Sequence, residues 1–306
     1  QDVVYGLGGT LKLTAASCAM EIYRRKYHRF ILRHEQEILK EEDKLYDFIF
    51  EAYYGGRTEV FSRGRHDNVR LYDINSLYPT VMQYEYPHPH TVRTVHEPGQ
   101  NIDFSLRFEG VSRVVIQSPG TMRYPYLPHR HRGRLLFPLG TWTGTYTHLE
   151  LRKAKALGYR ILDVQRTIIY KKTYHPFKLY VKDLYELRLR YKRQGSMLEV
   201  GVKLLLNSLY GKFGQRKMNE ILFFDTKTMS SDDLRDFMQD EHRGFVINND
   251  GTGYEVYDLE CESSHVFPIF PVMVTAYARD LLYEYIVKYD ALYCDTDSIV
   301  TRRSLP

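Results

Sequence analysis

The 306-residue chain has little cysteine, a single tryptophan and no long uninterrupted apolar run. Its three cysteines, Cys18, Cys261 and Cys294, are odd in number and show no C-x-x-C spacing. That excludes a disulfide framework and a zinc ribbon. It points to a reducing intracellular compartment, host cytoplasm or organelle, rather than to secretion. The stretch Val266 to Ala278 is apolar but short, and Pro268 and Pro271 interrupt it, so no membrane partner is expected. No signal peptide, internal repeat or low-complexity segment is recognisable. What remains is the composition of a globular chain, 43% hydrophobic and 26% charged, long enough for one large or two modest domains.

Tyrosine and positive charge are what the chain has in excess. Its 27 tyrosines suit wet grooves as well as cores, because the ring buries while the hydroxyl stays polar. The net charge of +5 is compatible with a polyanionic partner. Between residues 123 and 134 stand Arg123, His129, Arg130, His131, Arg132 and Arg134 with no acid among them. Tyr124, Tyr126 and Phe137 interleave with them, which favours nucleic-acid contact over a merely solvated loop. A long basic helix is expected from Tyr174 to Arg193, with Arg188 and Lys192 on one face. After Gln194-Gly195-Ser196 a second helix begins, and Gly211 and Gly214 are expected to end it. Lys203, Asn207 and Tyr210 fall at i, i+4 and i+7, so one face presents an ammonium, an amide and a phenol. Leu205, Leu206 and Leu209 lie mostly on other faces.

Two short segments place carboxylates in apolar company. In Leu292-Tyr293-Cys294-Asp295-Thr296-Asp297-Ser298-Ile299-Val300, the turn-prone core suggests a tight hairpin between buried strands. Asp295 and Asp297 share a face if the backbone is regular, and the pair reads as a hard-cation site or as an Asp/Ser turn. Leu71, Tyr72 and Ile74 read as a short buried strand carrying Asp73, with Ser76-Leu77-Tyr78-Pro79 after it. Ahead of both, Tyr53-Tyr54-Gly55-Gly56-Arg57 offers paired glycines for close backbone approach and an arginine for a phosphate; a plain turn before the strand Thr58–Phe61 reads the same. Elsewhere, Thr14 is expected to cap a helix, and Glu35 to Phe50 reads as another. The segment Thr147 to Leu157 is helical by pattern, Val272 to Tyr289 likewise, and residues 217–265 resemble an insertion with two strands, an acidic helix near Asp232 and Asp233, and a turn at Asn249-Asp250-Gly251.

Three motifs stand in order: Asp73-Ile-Asn-Ser-Leu-Tyr-Pro, Lys203-Leu-Leu-Leu-Asn-Ser-Leu-Tyr-Gly and Tyr293-Cys-Asp-Thr-Asp-Ser. Together they resemble motifs A, B and C of the family B DNA polymerases. Tyr54-Gly55-Gly56 resembles the tyrosine–glycine motif that links proofreading and synthetic domains there. The long interval between the first two motifs, and the one before the third, resemble the extra regions of the protein-primed branch, known from phages, linear plasmids and adenovirus-like elements. Phe137-Pro-Leu-Gly-Thr-Trp-Thr-Gly-Thr-Tyr is similar to those relatives as well.

The resemblance implies an α+β fold: a polymerase palm, an antiparallel sheet backed by helices, with helical fingers. On that basis residues 1–52 are a connector from an exonuclease domain and 53–84 are palm with motif A. Residues 85–173 resemble terminal-protein region 1, 174–215 are fingers, 216–265 resemble terminal-protein region 2, and 266–306 are palm with motif C. No thumb and no Lys-x-Tyr element follow, so the sequence is expected to be the catalytic core of a longer protein. The resemblance assigns catalysis to Asp73, Asp295 and Asp297, with Asp73, Asp297 and the Ile74 carbonyl on two Mg²⁺ ions and Mn²⁺ as a substitute. Tyr78, Arg188, Lys192, Lys203, Asn207 and Tyr210 are the expected dNTP contacts. Tyr54, Gly55, Gly56, Arg57, Gly211 and Lys212 are the expected contacts to template and primer DNA. A terminal-protein hydroxyl, a nucleic-acid 3′-OH or no primer remain open as starting points. Two other classes compete: a nucleic-acid-binding fragment without catalysis, and a metal-dependent nuclease using the same acids.

Overall fold

The computed structural model describes residues 2–28, 45–99, 102–215, 219–225, 230–231, 244–247, 252–258 and 267–305. They fall into two units, Gln1–Gly214 with Phe267–Pro306, and Gln215–Val266.

The first unit is built on the helix Ile269–Lys288. Pro268 caps it and Pro271 sits in its first turn, where a missing N–H costs no helical bond. The two prolines that interrupt the apolar run in sequence therefore start the helix instead. It is apolar around most of its circumference, which suits a helix covered on all sides. Its first half (Ile269, Phe270, Val272, Met273) packs into one core with the helices Ala15–Ile22, Leu45–Glu51 and Leu198–Phe213. Its second half (Leu282, Tyr283, Ile286) packs into another with Cys294, Ile299, Val114, Ile116 and Tyr146.

Two four-stranded antiparallel sheets flank these cores. One runs Thr58–Val60, Tyr293–Asp295, Ser298–Thr301, Arg70–Asp73. The other runs Val92–Thr94, Arg160–Tyr170, Glu109–Gln117, Thr141–Thr147. In the first, Cys294 and Ile299 face inward and are buried. The opposite face stays open, as antiparallel sheets permit. This corrects the expectation of a buried strand around Asp73. On the edge strand Arg70–Asp73, Tyr72, opposite the buried Ile299, is partly covered, while Leu71, opposite Val300, lies on the open face with Asp73 and is 70% exposed.

Thr14 caps its helix through a bond from the Ser17 N–H. Of the expected helix Glu35 to Phe50, the described part is Leu45–Glu51. The basic helix spans Lys178–Arg193 and does not begin at Tyr174, because Thr173–Tyr174 pairs as a strand with Tyr86–Pro87 and Pro176 intervenes. The next helix, Leu198–Phe213, continues through Gly211 and ends at Gly214. Helix His148–Ala156 opens on a capping box formed by Thr147 and Glu150.

The second unit holds the strands Asn219–Asp225, Thr252–Asp258 and Gly244–Ile247, a three-stranded antiparallel sheet in that order. The expected acidic helix at Asp232 and Asp233 and the turn at Asn249-Asp250-Gly251 lie outside the described residues. Among the described residues, no helix is long and apolar enough to cross a membrane.

Candidate active site at the carboxylate hairpin

The strands Tyr293–Asp295 and Ser298–Thr301 are joined by the two-residue turn Thr296-Asp297, with Asp295 opposite Ser298. Thr296 takes φ 56°, a left-handed conformation that costs a non-glycine residue about 1–3 kcal/mol. Two backbone bonds hold the turn from either side. The Thr296 N–H donates to the Arg57 carbonyl at 2.8 Å, and the Ile74 N–H donates to the Asp297 carbonyl at 2.7 Å. Gly56 packs so closely that an added Cβ would stand 2.9 Å from Thr296 Cγ2, whereas one at Gly55 would meet open space. A side chain at position 56 would push on the turn.

Thr58, Asp295, Ser298 and Asp73 form one row across the sheet and project from its open face. Asp297 stands at the end of that row, in the turn. It does not share a strand face with Asp295 in the regular sense, because the hairpin reverses between them. Asp73 and Asp295 are exposed, contrary to the expectation of acids in a buried strand. Asp295 accepts from the Thr58 hydroxyl at 2.9 Å and the Thr296 hydroxyl at 3.1 Å. Asp297 is partly buried, and its carboxyl is pushed above the usual carboxylate range. Burial is the largest cause, then the negative charge of Asp73; Asp295 adds less, and Lys203 pulls the other way.

That places one member of the polar helical face opposite the acids. Lys203 and Asn207 are exposed, while Val202, Leu205, Leu206 and Leu209 are buried, as the pattern predicts. Tyr210 stacks on Tyr78, ring centroids 5.0 Å apart and planes 7° apart. Burial raises both phenols above their ordinary range, so both remain neutral donors at physiological pH. Tyr78 reaches this position through Ser76, whose φ of 55° turns the chain from the Asp73 strand into the short helix Leu77–Val81. Gly211 is exposed and Lys212 partly exposed on the same helix. Lys192 is exposed, but Arg188 is engaged: its Nε donates to Glu199 at 2.6 Å and its Nη1 to the Ser76 hydroxyl at 3.0 Å.

Two of the expected nucleic-acid contacts, Arg57 and Tyr54, have buried side chains. The Arg57 guanidinium is 2% exposed, paired with Glu59, bonded to the Pro125 carbonyl and laid over the Phe137 ring. The Tyr54 ring is buried against Tyr146, so its neighbours Gly55 and Gly56 offer backbone only. Tyr124, Tyr126 and Phe137 are buried too and present no stacking surface. Arg123 pairs with Asp290 and Arg130 donates to the Tyr53 carbonyl, while His131, Arg132 and Arg134 stay exposed on a tight hairpin.

Sequence reasoning missed Arg279. Its guanidinium is 5% exposed and donates to Glu150 at 2.7 Å, to the Tyr54 carbonyl at 2.5 Å and to the Gly55 carbonyl at 2.9 Å. It thereby holds the loop whose Gly56 supports the Thr296-Asp297 turn. The available signal was a lone arginine inside an apolar helical run.

Among the described residues, no three histidine, cysteine or acidic side chains stand close enough to enclose a metal ion by themselves. The donors fit a hard cation that retains water and phosphate ligands. They are oxygen-only, and the mutual repulsion of Asp297 and Asp73 is what such an ion would relieve.

The model of a family described as DNA polymerase type B, organellar and viral, matches residues 9–304. A probable DNA polymerase of Podospora anserina is 30% identical over 334 residues, 99% of this chain and 27% of that protein. The DNA-directed DNA polymerase of Enterobacteria phage PRD1 is 25% identical over 263 residues, 82% of this chain and 43% of that protein. A solved structure of Phi29 DNA polymerase complexed with primer-template DNA and incoming nucleotide substrates shares the fold. Its TM-score is 0.61 and its identity 18%, covering 100% of this chain and 51% of the other. The chain spans about a quarter of the length of the first curated relatives it matches.

Proposed function

Since the chain belongs to the organellar and viral type B DNA polymerases, we propose that it carries the nucleotidyl-transfer core of a DNA-directed DNA polymerase. It would add dNMP to a nucleic-acid 3′-OH or to a protein-primer hydroxyl. The supporting observation is that Asp73 and Asp295 stand in one row of the sheet with Asp297 at its end in the turn, Lys203 favouring the Asp297 carboxylate. The sheet with that hairpin serves as palm and the helices Lys178–Arg193 and Leu198–Phe213 as fingers. Residues 85–173 and 216–265 are read as the two terminal-protein regions, which favours a terminal-protein primer.

Asp73, Asp297 and the Ile74 carbonyl would hold Mg²⁺ or Mn²⁺, which supplies positive charge to the attacking and leaving oxygens when bound. Asp295, held by Thr58 and Thr296, stands beside them and keeps the turn in shape. Lys203, Lys192 and Arg188 neutralise the triphosphate. Asn207 and Tyr210 line the space for the new base pair, and Gly55, Gly56, Gly211 and Lys212 face the DNA backbone. A nuclease would use the acids but has no need of the Lys203-Asn207-Tyr210 face.

The direct test is Mg²⁺-dependent incorporation of labelled dNTP on a primed template by this chain. Labelled product supports the reading; template binding without product would restrict the chain to binding. Tyr78, whose ring stacks on Tyr210, would lie under the sugar and exclude a 2′-hydroxyl. Tyr78→Val is expected to lower discrimination between dNTP and rNTP by about tenfold to a hundredfold. Tyr78→Phe, which keeps the ring, should keep it. The ratio of kcat/KM for dATP and ATP measures this, and an unchanged ratio in Tyr78→Val removes the residue from that role.

A further inference from the structure

The Arg188 fork is engaged by two protein groups. One nitrogen binds Glu199 at 2.6 Å and another binds the Ser76 hydroxyl at 3.0 Å. Ser76 lies between Asp73 and Tyr78, so this contact ties the basic helix to the segment that carries an active-site carboxylate. Glu199 belongs to the first turn of the next helix, one turn before Lys203. Both partners are about four-fifths covered, with side-chain exposures of 18% and 20%. Arg188, Lys192 and Lys203 all hold the Glu199 carboxyl below its ordinary range, the Arg188 hydrogen bond most strongly. Of the cations assigned above to a triphosphate, Arg188 is the one bonded to this carboxylate.

We propose that Glu199 competes with the triphosphate for Arg188, so that an incoming nucleotide must displace it. This rests on the polymerase reading of the site. Glu199 is thus a positioning residue that sets nucleotide affinity through Arg188. Its carboxylate holds the fork beside Ser76. Once the triphosphate arrives, the carboxylate is left beside phosphate oxygens of its own sign, which weakens binding. The competition is one of charge alone, so base and sugar do not enter it.

Two probes separate charge from nucleoside: dATP and inorganic tripolyphosphate, each titrated calorimetrically at fixed Mg²⁺ into the protein. Glu199→Gln is expected to bind both about fivefold more tightly at low salt, and the gain should shrink as salt screens the charges. Glu199→Asp, which keeps the charge, should bind much as the unaltered protein does. In an Arg188→Gln background most of the gain should vanish, because the competition has lost its object. If Glu199→Gln binds both probes equally well or more weakly than the unaltered protein, Glu199 merely orients Arg188 and the displacement is wrong. Should the unaltered protein bind neither probe, the nucleotide reading of the whole site fails, and this inference with it.

Discussion

Asp297→Asn is expected to lower dNMP incorporation by at least about a thousandfold while leaving affinity for primed template within about twofold. Asp297 combines partial burial with the charge of Asp73, so it is the carboxylate whose surroundings most favour a cation. An amide there is nearly isosteric and still fits the turn, but it offers a cation no charge. DNA affinity should hold because it rests on basic side chains elsewhere. Primer extension and filter binding on the same preparation measure the two effects. Near-normal extension by the variant would remove Asp297 from the chemistry.

The same substitution has a stability consequence of opposite sign. A carboxylate whose folded pKa lies above its unfolded value loses stability as pH rises through that interval. Without divalent ions, Asp297→Asn should therefore melt at a higher temperature than the unaltered protein near pH 7. The advantage should be absent below the ordinary value of 3.8 and complete above the raised one. Adding Mg²⁺ should narrow it, since an ion relieves the repulsion between Asp73 and Asp297. A lower melting temperature for the variant at pH 7 would contradict the electrostatics described here.

Arg279→Met is expected to destabilise the first unit by about 3–5 kcal/mol, a melting decrease on the order of 10 °C. Removing one partner of a buried pair leaves the other charged and unpaired, and Glu150 is 2% exposed. Glu150 also accepts from the Thr147 hydroxyl at 2.8 Å, so the helix cap would be disturbed as well. The double change Arg279→Met with Glu150→Gln should recover much of the loss, since glutamine keeps an acceptor for Thr147 without a stranded charge. Arg279→Lys keeps the charge but not the fork. It should retain more stability than Arg279→Met yet lose the simultaneous grip on the Tyr54 and Gly55 carbonyls. Incorporation measured well below the melting temperature should then fall, because Gly56 no longer presses a fixed surface against Thr296. Unchanged activity in Arg279→Lys would mean that the loop holds the turn without it.

The three motif segments were legible because each is short and its chemistry is local. A polar helical face announces itself by spacing, and Lys203, Asn207 and Tyr210 do share one while Leu205, Leu206 and Leu209 are buried. Asp-Thr-Asp-Ser between apolar flanks announced a hairpin, and the turn falls between Asp295 and Ser298. The misreadings concern residues whose fate depends on what lies across the fold. Arg57 looks like a phosphate ligand until Glu59, Phe137 and the Pro125 carbonyl enclose it. Leu71 looks buried until its side chain proves to lie on the open face of an edge strand.

By itself, then, the sequence determined the local elements and the residues able to bind cations or phosphates, because periodicity and turn chemistry act over a few neighbours. Only the tertiary structure decided which of those groups stay available. Arg188 meets Glu199 eleven residues on, Ile74 meets Asp297 more than two hundred residues on, and Arg279 meets a loop equally far away. Such pairings follow from how the two cores bring helices and sheet together, and no local pattern encodes them.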